Sequence, residues 1–262
     1  MKVKITPSVP AGKIKAIASK SAAHRLLICA ALSDRSSEIL CEEINDDISA
    51  TVRCLNALGA KITRKDKSFI VLPIKEPRKN AELDCGESGS TMRFLVPVVA
   101  ALGCGASFKM SGRLPSRPLS PLREELEAHG IVFSEAGSNP LTVSGKLSAG
   151  EYRIRGDVSS QFISGLLFAL SVTEGESRII IEGKKESAPY VDMTVCALYE
   201  FGAEPVTEDD GFTVTGKRRL TSEGKLEVEG DWSNAAFALC AGALSKKAKV
   251  SVFGLDPDSV QG

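Results

Sequence analysis

The chain has 262 residues, 43% hydrophobic and 25% charged, a globular composition long enough for one large or two medium domains. Its 33 basic residues balance 33 acidic ones, so there is no global field for a nucleic acid or an anionic membrane, and anion recognition must be local. Its seven cysteines (Cys29, Cys41, Cys54, Cys85, Cys104, Cys196, Cys240) stand singly, which argues against a disulfide framework or zinc site and fits a reducing cytosol, the expected compartment.

The first ten residues, MKVKITPSVP, alternate like a strand and carry no apolar core of a signal peptide. No run of about 18 apolar residues follows, so no transmembrane helix is expected. "SKSAAHRLLICAALSD" then reads as an apolar, buried helix with Ser21 at its start. Ser49 is the expected N-cap of a second, outer helix that ends at Gly59, and "RKDK" turns the hairpin after it. The pattern returns with "SGSTMRFLVPVVAALG" around Ser90. An outer helix capped by Ser120, with Pro121 at its first position, follows, then Gly130 and the turn "AGSN". It returns again with "SSQFISGLLFALSVTEG" around Ser160, an outer helix capped by Asp192, Gly202 and the turn "EDDG". Gly59, Gly130 and Gly202 stand 71 and 72 residues apart. A fourth apolar helix opens in "GDWSNAAFALCAGALSKK", and one strand later the sequence reaches Gly262.

Each unit therefore reads as strand, buried helix, strand, outer helix, hairpin. Three units of about seventy residues make an α/β domain over 13–221, with the buried helices inside and the sheets outside. Residues 1–12 and 222–262 are expected to belong to an unfinished second domain. Two further units are expected after Gly262, and the apolar stretch "AAFALCAGAL" to be poorly ordered or packed on another copy.

The first turn of a helix exposes unpaired N–H groups and the positive end of the dipole, so it attracts anions. Lys20, Ser21 and Arg25 share one helix start, with Ser21 and Arg25 on one face. Gly89, Ser90 and Arg93 mark the second; Ser159, Ser160 and Gln161 mark the third. Glycine admits a ligand close to the backbone, and arginine offers a planar fork to carboxylate or phosphate. Each hydrogen bond to a charged group contributes ~1.5–3 kcal/mol, so five or six hold a phosphorylated metabolite at about micromolar affinity. If a threefold arrangement brings the three starts together, Asp47, Arg117, Ser187 and Tyr190 join the same end.

At these residues the chain resembles the 3-phosphoshikimate 1-carboxyvinyltransferase (EPSP synthase) family. "SKSAAHR", "GESGSTMR", "SGRLPSRPLSPL", "GDVSSQFISGLL" and "ESAPYVDMT" look like that family's motifs, in the same order. The resemblance implies an inside-out α/β barrel of two domains with the active site between them. It implies transfer of the enolpyruvyl group of phosphoenolpyruvate to the 5-hydroxyl of shikimate 3-phosphate, with release of phosphate and with neither metal nor organic cofactor. Carried over by position, Lys20 touches both substrates. Ser21, Arg25, Ser159, Ser160, Gln161, Ser187 and Tyr190 hold shikimate 3-phosphate. Gly89, Arg117 and Gln161 bind phosphoenolpyruvate, and Asp231 accepts the proton of the attacking hydroxyl. The full-length form is expected to be a monomer.

Two departures stand out. Glu87 replaces an amide common in the family and is left out of the binding set. The chain also carries half of the expected cleft, which leaves a non-catalytic half that binds shikimate 3-phosphate as an alternative. The related UDP-N-acetylglucosamine enolpyruvyl transferases carry a reactive cysteine where this chain has Gly112. Cys104 reads as a small core residue instead.

Overall fold

The computed structural model describes residues 3–4, 9–245 and 249–261. Most of the strand expected at the extreme N-terminus, and part of the segment assigned to the second domain, fall outside the described residues.

The elements run β1 (Gly12–Lys15), α1 (Lys20–Ala31), β2 (Ser37–Leu40), α2 (Asp46–Leu58), β3 (Lys61–Lys65), β4 (Ser68–Leu72), β5 (Ala81–Gly86), α3 (Gly89–Leu102) and β6 (Ala106–Met110). After a 3-10 turn at Leu114–Ser116 come α4 (Leu122–Ala128), β7 (Val132–Phe133), β8 (Leu141–Ser144), β9 (Glu151–Arg155), α5 (Ser160–Ser171), β10 (Gly175–Glu182), α6 (Ala188–Tyr199), β11 (Val206–Glu208), β12 (Gly211–Gly216), β13 (Lys225–Glu227), α7 (Trp232–Leu244) and β14 (Val250–Phe253).

The fold is mixed α/β, with three four-stranded sheets ordered β13-β2-β4-β3, β5-β6-β8-β7 and β9-β10-β12-β11. In each, a parallel pair leads into the antiparallel hairpin that closes the sheet. The first sheet takes its edge strand from β13, which lies beyond residue 221. β1 pairs instead with β14 in a separate parallel ribbon.

The core explains this plan. α1 buries nine of 12 residues, α3 twelve of 14 and α5 ten of 12. Helices so uniformly apolar have no polar face for water and must be surrounded. α3 and α5 approach closely at Gly165, where a Cβ would lie 2.6 Å from the Arg93 carbonyl oxygen. A side chain there would force the two helices apart.

Helix starts differ from expectation. α1, α3 and α5 are capped by Ser19, Ser88 and Ser159, whose hydroxyls accept from Ala22 N, Thr91 N and Gln161 N. Lys20, Gly89 and Ser160 thus become first-turn residues with their N–H groups outside the helical ladder. α2 starts at Asn45, which accepts from Ile48 N at 2.9 Å, while Ser49 sits inside the helix and bonds back to the Asn45 carbonyl. α4 follows Pro121, and α6 starts after Ser187, so neither Ser120 nor Asp192 is a cap. In α2 the reason is an acceptor further upstream, since Asn45 caps the helix before Ser49 can. α4 and α6 have no side-chain cap, and in α6 the helix opens before Asp192, with Pro189 in its first turn. Among the described residues, no helix is long and apolar enough to cross a membrane.

Candidate active site

The N-terminal ends of α1, α3 and α5 are tied into one polar layer. Gln161 on α5 donates through Nε2 to Ser90 Oγ on α3 at 2.8 Å and accepts from Arg93 Nη1 at 2.9 Å. Arg93 Nη2 donates to the Pro118 carbonyl, and its buried Nε has no partner among the described residues. Burial, and then the neighbouring Arg117 charge, hold Arg93 below the usual arginine range. Ser90 therefore serves as a bridge between helices, not as a cap.

Gly89 and Arg117 meet directly. A Cβ on Gly89 would lie 2.5 Å from Arg117 Nη1, so the guanidinium occupies the space a side chain would need. This close approach places a cation against the first turn of α3, where helix N–H groups already favour an anion.

On the α1 side, Arg25 is 3% exposed. Its Nε donates to Thr194 Oγ1 at 2.8 Å, Nη1 to the Ser21 carbonyl at 2.7 Å and Nη2 to the Tyr190 carbonyl. Burial pushes its pKa down to about 10. No carboxylate pairs with it among the described residues, and a buried cation without an anion is costly. Lys20 Nζ donates to Asp47 Oδ2 at 2.8 Å, leaving two of its three donors. Burial alone would raise the Asp47 carboxyl, but the Lys20 hydrogen bond and charge outweigh it and hold the group low.

Four further residues, not anticipated from sequence, link these pieces. His24 Nδ1 lies 2.7 Å from Thr51 Oγ1, Thr51 Oγ1 lies 2.7 Å from Thr91 Oγ1, and Thr91 Oγ1 donates to Ser88 Oγ at 2.7 Å. The Ser88 hydroxyl in turn helps hold the Asp47 carboxylate down. The chain of hydroxyls thus runs from α1 through α2 and α3 back to the partner of Lys20. Burial drives the pKa of His24 down to about 3, so the ring is neutral at ordinary pH, and its Nε2 has no partner among the described residues. The available signal in the sequence was a polar residue inside each apolar helix, but the partners lie 27 and 40 residues apart.

The remaining expected residues line up less evenly. Ser159 caps α5. Ser160 and Ser187 are partly or fully exposed and their hydroxyls make no hydrogen bond among the described residues. Ser187 holds a left-handed conformation at φ 55°. Tyr190 Oη lies 2.9 Å from Ser233 Oγ, joining α6 to α7. Asp231 is the N-cap of α7. Its carboxylate accepts from Asn234 N, Asn234 Nδ2 and Gln261 Nε2 at 3.1, 2.8 and 3.1 Å. It thus holds α7 and the 259–261 turn.

Glu87 has a structural task. Its Oε1 accepts from Arg113 N at 3.1 Å, and a Cβ on Gly112 would lie 1.6 Å from that oxygen. The carboxylate ties the α3 loop to the loop carrying Arg117 and requires glycine opposite.

The sequence matches the family described as EPSP synthase (3-phosphoshikimate 1-carboxyvinyltransferase) over residues 6–262. It is 40% identical over 270 residues to a 3-phosphoshikimate 1-carboxyvinyltransferase of Clostridium beijerinckii and 42% identical over 267 residues to one of Clostridium botulinum. Both comparisons cover 99% of this chain and 61% of the relative, so the chain spans about three fifths of their length. The EPSP synthase structure from Acinetobacter baumannii superposes with a TM-score of 0.78 at 22% identity, over 95% of this chain and 57% of that one. At that identity the superposition speaks for the fold.

Proposed function

The chain belongs to the EPSP synthase family, and from that premise we propose that it carries the shikimate 3-phosphate side, and part of the phosphoenolpyruvate side, of an enolpyruvyl transfer site. The reaction would move the enolpyruvyl group to the 5-hydroxyl of shikimate 3-phosphate and release phosphate. The observation that carries this reading is the polar layer at the starts of α1, α3 and α5, where Arg25 and Arg93 are buried without a carboxylate partner among the described residues. Such a layer is preorganised for anions, because its dipoles and cations need no rearrangement when a dianion arrives.

In this reading Ser21, Arg25, Ser159, Ser160, Gln161, Ser187 and Tyr190 take shikimate 3-phosphate. Ser160 and Ser187 suit its phosphate, since their hydroxyls have no protein partner among the described residues. Gly89, Arg117 and Gln161 take phosphoenolpyruvate. Lys20 lies between the two, with Asp47 holding its ammonium in place. Asp231 is proposed as the base that accepts the proton of the attacking hydroxyl, and it also anchors α7 beside Tyr190. Asp231→Asn keeps a capping oxygen and separates the two roles. A loss above a hundredfold in kcat of the full-length enzyme is expected, while a change under tenfold would leave it a cap alone. The UDP-N-acetylglucosamine reading is disfavoured by Gly112, because Glu87 fills the space a cysteine would need.

A second reading, supported by coverage of only 61% of the relatives, is that the 262-residue chain binds shikimate 3-phosphate without turnover. Calorimetry with shikimate 3-phosphate beside a phosphate-release assay separates the two. Binding without release identifies a half-site, and no binding of either substrate removes the site assignment. The three-sheet body is proposed as the shikimate 3-phosphate domain, with the β1–β14 ribbon and α7 as the start of the second domain. Self-association through α7, whose Phe237 and Leu244 are exposed, is proposed for this chain and a cytoplasmic location for the protein. Sedimentation of Phe237→Ser against the unmodified chain tests the first of these; an identical mass distribution would count against it.

A further inference from the structure

The ends of α1, α3 and α5 opposite the proposed site converge on a second depression of about 620 Å³ that the proposed reaction does not use. Its floor is apolar, formed by Leu32, Leu102 and Val172 at the three helix ends with Ile74 and Leu147 beside them. Its rim is cationic. Lys75, Lys146 and Arg218 each stand 16 residues after the glycine that ends an outer helix (59, 130 and 202), so each sheet's trailing loop supplies one cation. All three are exposed, and none pairs with a carboxylate or caps a carbonyl among the described residues.

The rim is built, not loose. Arg219 donates from Nη1 to the Ile74 carbonyl at 2.8 Å and from Nη2 to the Lys75 carbonyl at 2.7 Å, pinning the third sheet's loop to the first. The aliphatic stem of Lys146 crosses Gly103, where a Cβ would lie 3.0–3.2 Å from it. Glu174 is the one acidic residue in the lining.

Three helix C-termini bring roughly half a negative charge each to this end. Their terminal carbonyls, however, already accept from loop N–H groups: Ile74 N to Ala31 O at 2.8 Å, Leu147 N to Ala100 O at 3.0 Å and Lys217 N to Ser171 O at 3.0 Å. The side-chain cations are therefore not needed as caps. Four cations against one carboxylate and about 1.5 dipole charges leave a net positive basin over an apolar floor.

We propose that this basin binds an organic polyphosphate of nucleoside triphosphate size, its phosphates on the cationic rim and its apolar or planar body on the floor. The volume lies within the range of small-molecule sites, about 300–1,000 Å³. The recurrence of one cation per loop suits a chain of phosphates better than a single one, because separated charges are met by separated cations.

The test is calorimetry of the chain with ATP and with inorganic tripolyphosphate, repeated in Lys75→Ala/Lys146→Ala/Arg218→Ala and in Ser160→Ala. The expected result is binding of both probes, tighter for ATP, weakened at least tenfold in the triple variant and unchanged in Ser160→Ala. Tighter tripolyphosphate binding would remove the role given to the floor. Binding lost in Ser160→Ala but retained in the triple variant would move the ligand to the opposite end and overturn the proposal, as would no binding at millimolar probe. On the unmodified chain, amide shifts induced by tripolyphosphate are expected at 74–75, 146–149 and 217–219. Shifts confined to 20–25 and 88–93 would equally overturn it, so the proposal stays testable should the triple variant fold poorly.

Discussion

α5 and α7 look alike in sequence and end up in opposite surroundings. Both open on a side-chain cap, Ser159 and Asp231, and both continue with apolar residues. α5 buries ten of its 12 residues between α3 and α6, whereas α7 buries only Ala235 and leaves Phe237 79% and Leu244 84% exposed. Caps and propensity therefore start a helix, but its burial is decided by what the rest of the chain brings to it. An exposed apolar face of this kind marks a contact surface.

The sharpest way to break the comparison is to truncate one phenylalanine in each helix. Phe168→Ala on α5 is expected to cost ~3–5 kcal/mol, because it leaves a cavity in a closed core. Phe237→Ala on α7 is expected within about 0.5 kcal/mol at protein concentrations low enough that the chain does not self-associate through α7. Urea midpoints at that dilution measure both, and equal costs would mean that α7 is covered within the single chain.

A smaller effect comes from the polar interior that α7 lacks. The His24 pKa is depressed to about 3. The unfolded chain therefore binds a proton that the native one refuses between roughly pH 6.5 and pH 3. Stability from this group is fully present above pH 6.5 and falls by up to ~1.4 kcal/mol per pH unit on acidification. The urea midpoint of His24→Asn is expected to change less between pH 6.5 and 5 than that of the unmodified protein; parallel curves would refute the assignment. Smaller still, Gly89→Ala must displace Arg117. We expect about a tenfold rise in the phosphoenolpyruvate KM of the full-length form, about 1.4 kcal/mol, with the shikimate 3-phosphate Kd unchanged. Equal loss for both substrates would place Arg117 between them.

Periodicity made much of the fold legible. The apolar helices at 20–31, 89–102 and 160–171 and the glycine-terminated outer helices are visible as spacing, because burial and the left-handed turn select residue types locally. The exact caps were not, since Ser19 and Ser21, or Ser88 and Ser90, are chemically equivalent until the backbone chooses. The hydroxyl chain from His24 to Ser88 was equally hidden, because its members share no local pattern and meet only after three helices pack. Glu87 was visible as an oddity, but its partner, the Arg113 N–H, lies 26 residues away. Asp231 shows the reverse case: the resemblance suggests a base, and the geometry adds a cap of α7 that the sequence had not indicated.

The edge strand β13 has a consequence for how this protein is born. Its residues 225–227 complete the sheet that β2 begins at residue 37, so the first sheet to be synthesised is the last to be finished. A ribosome releasing the chain in order must hold β2, β3 and β4 with one edge open while the other two sheets can already close. During that interval the unpaired edge of β2 is a template for another nascent chain. A translational pause between residues 72 and 225 would lengthen that vulnerable window.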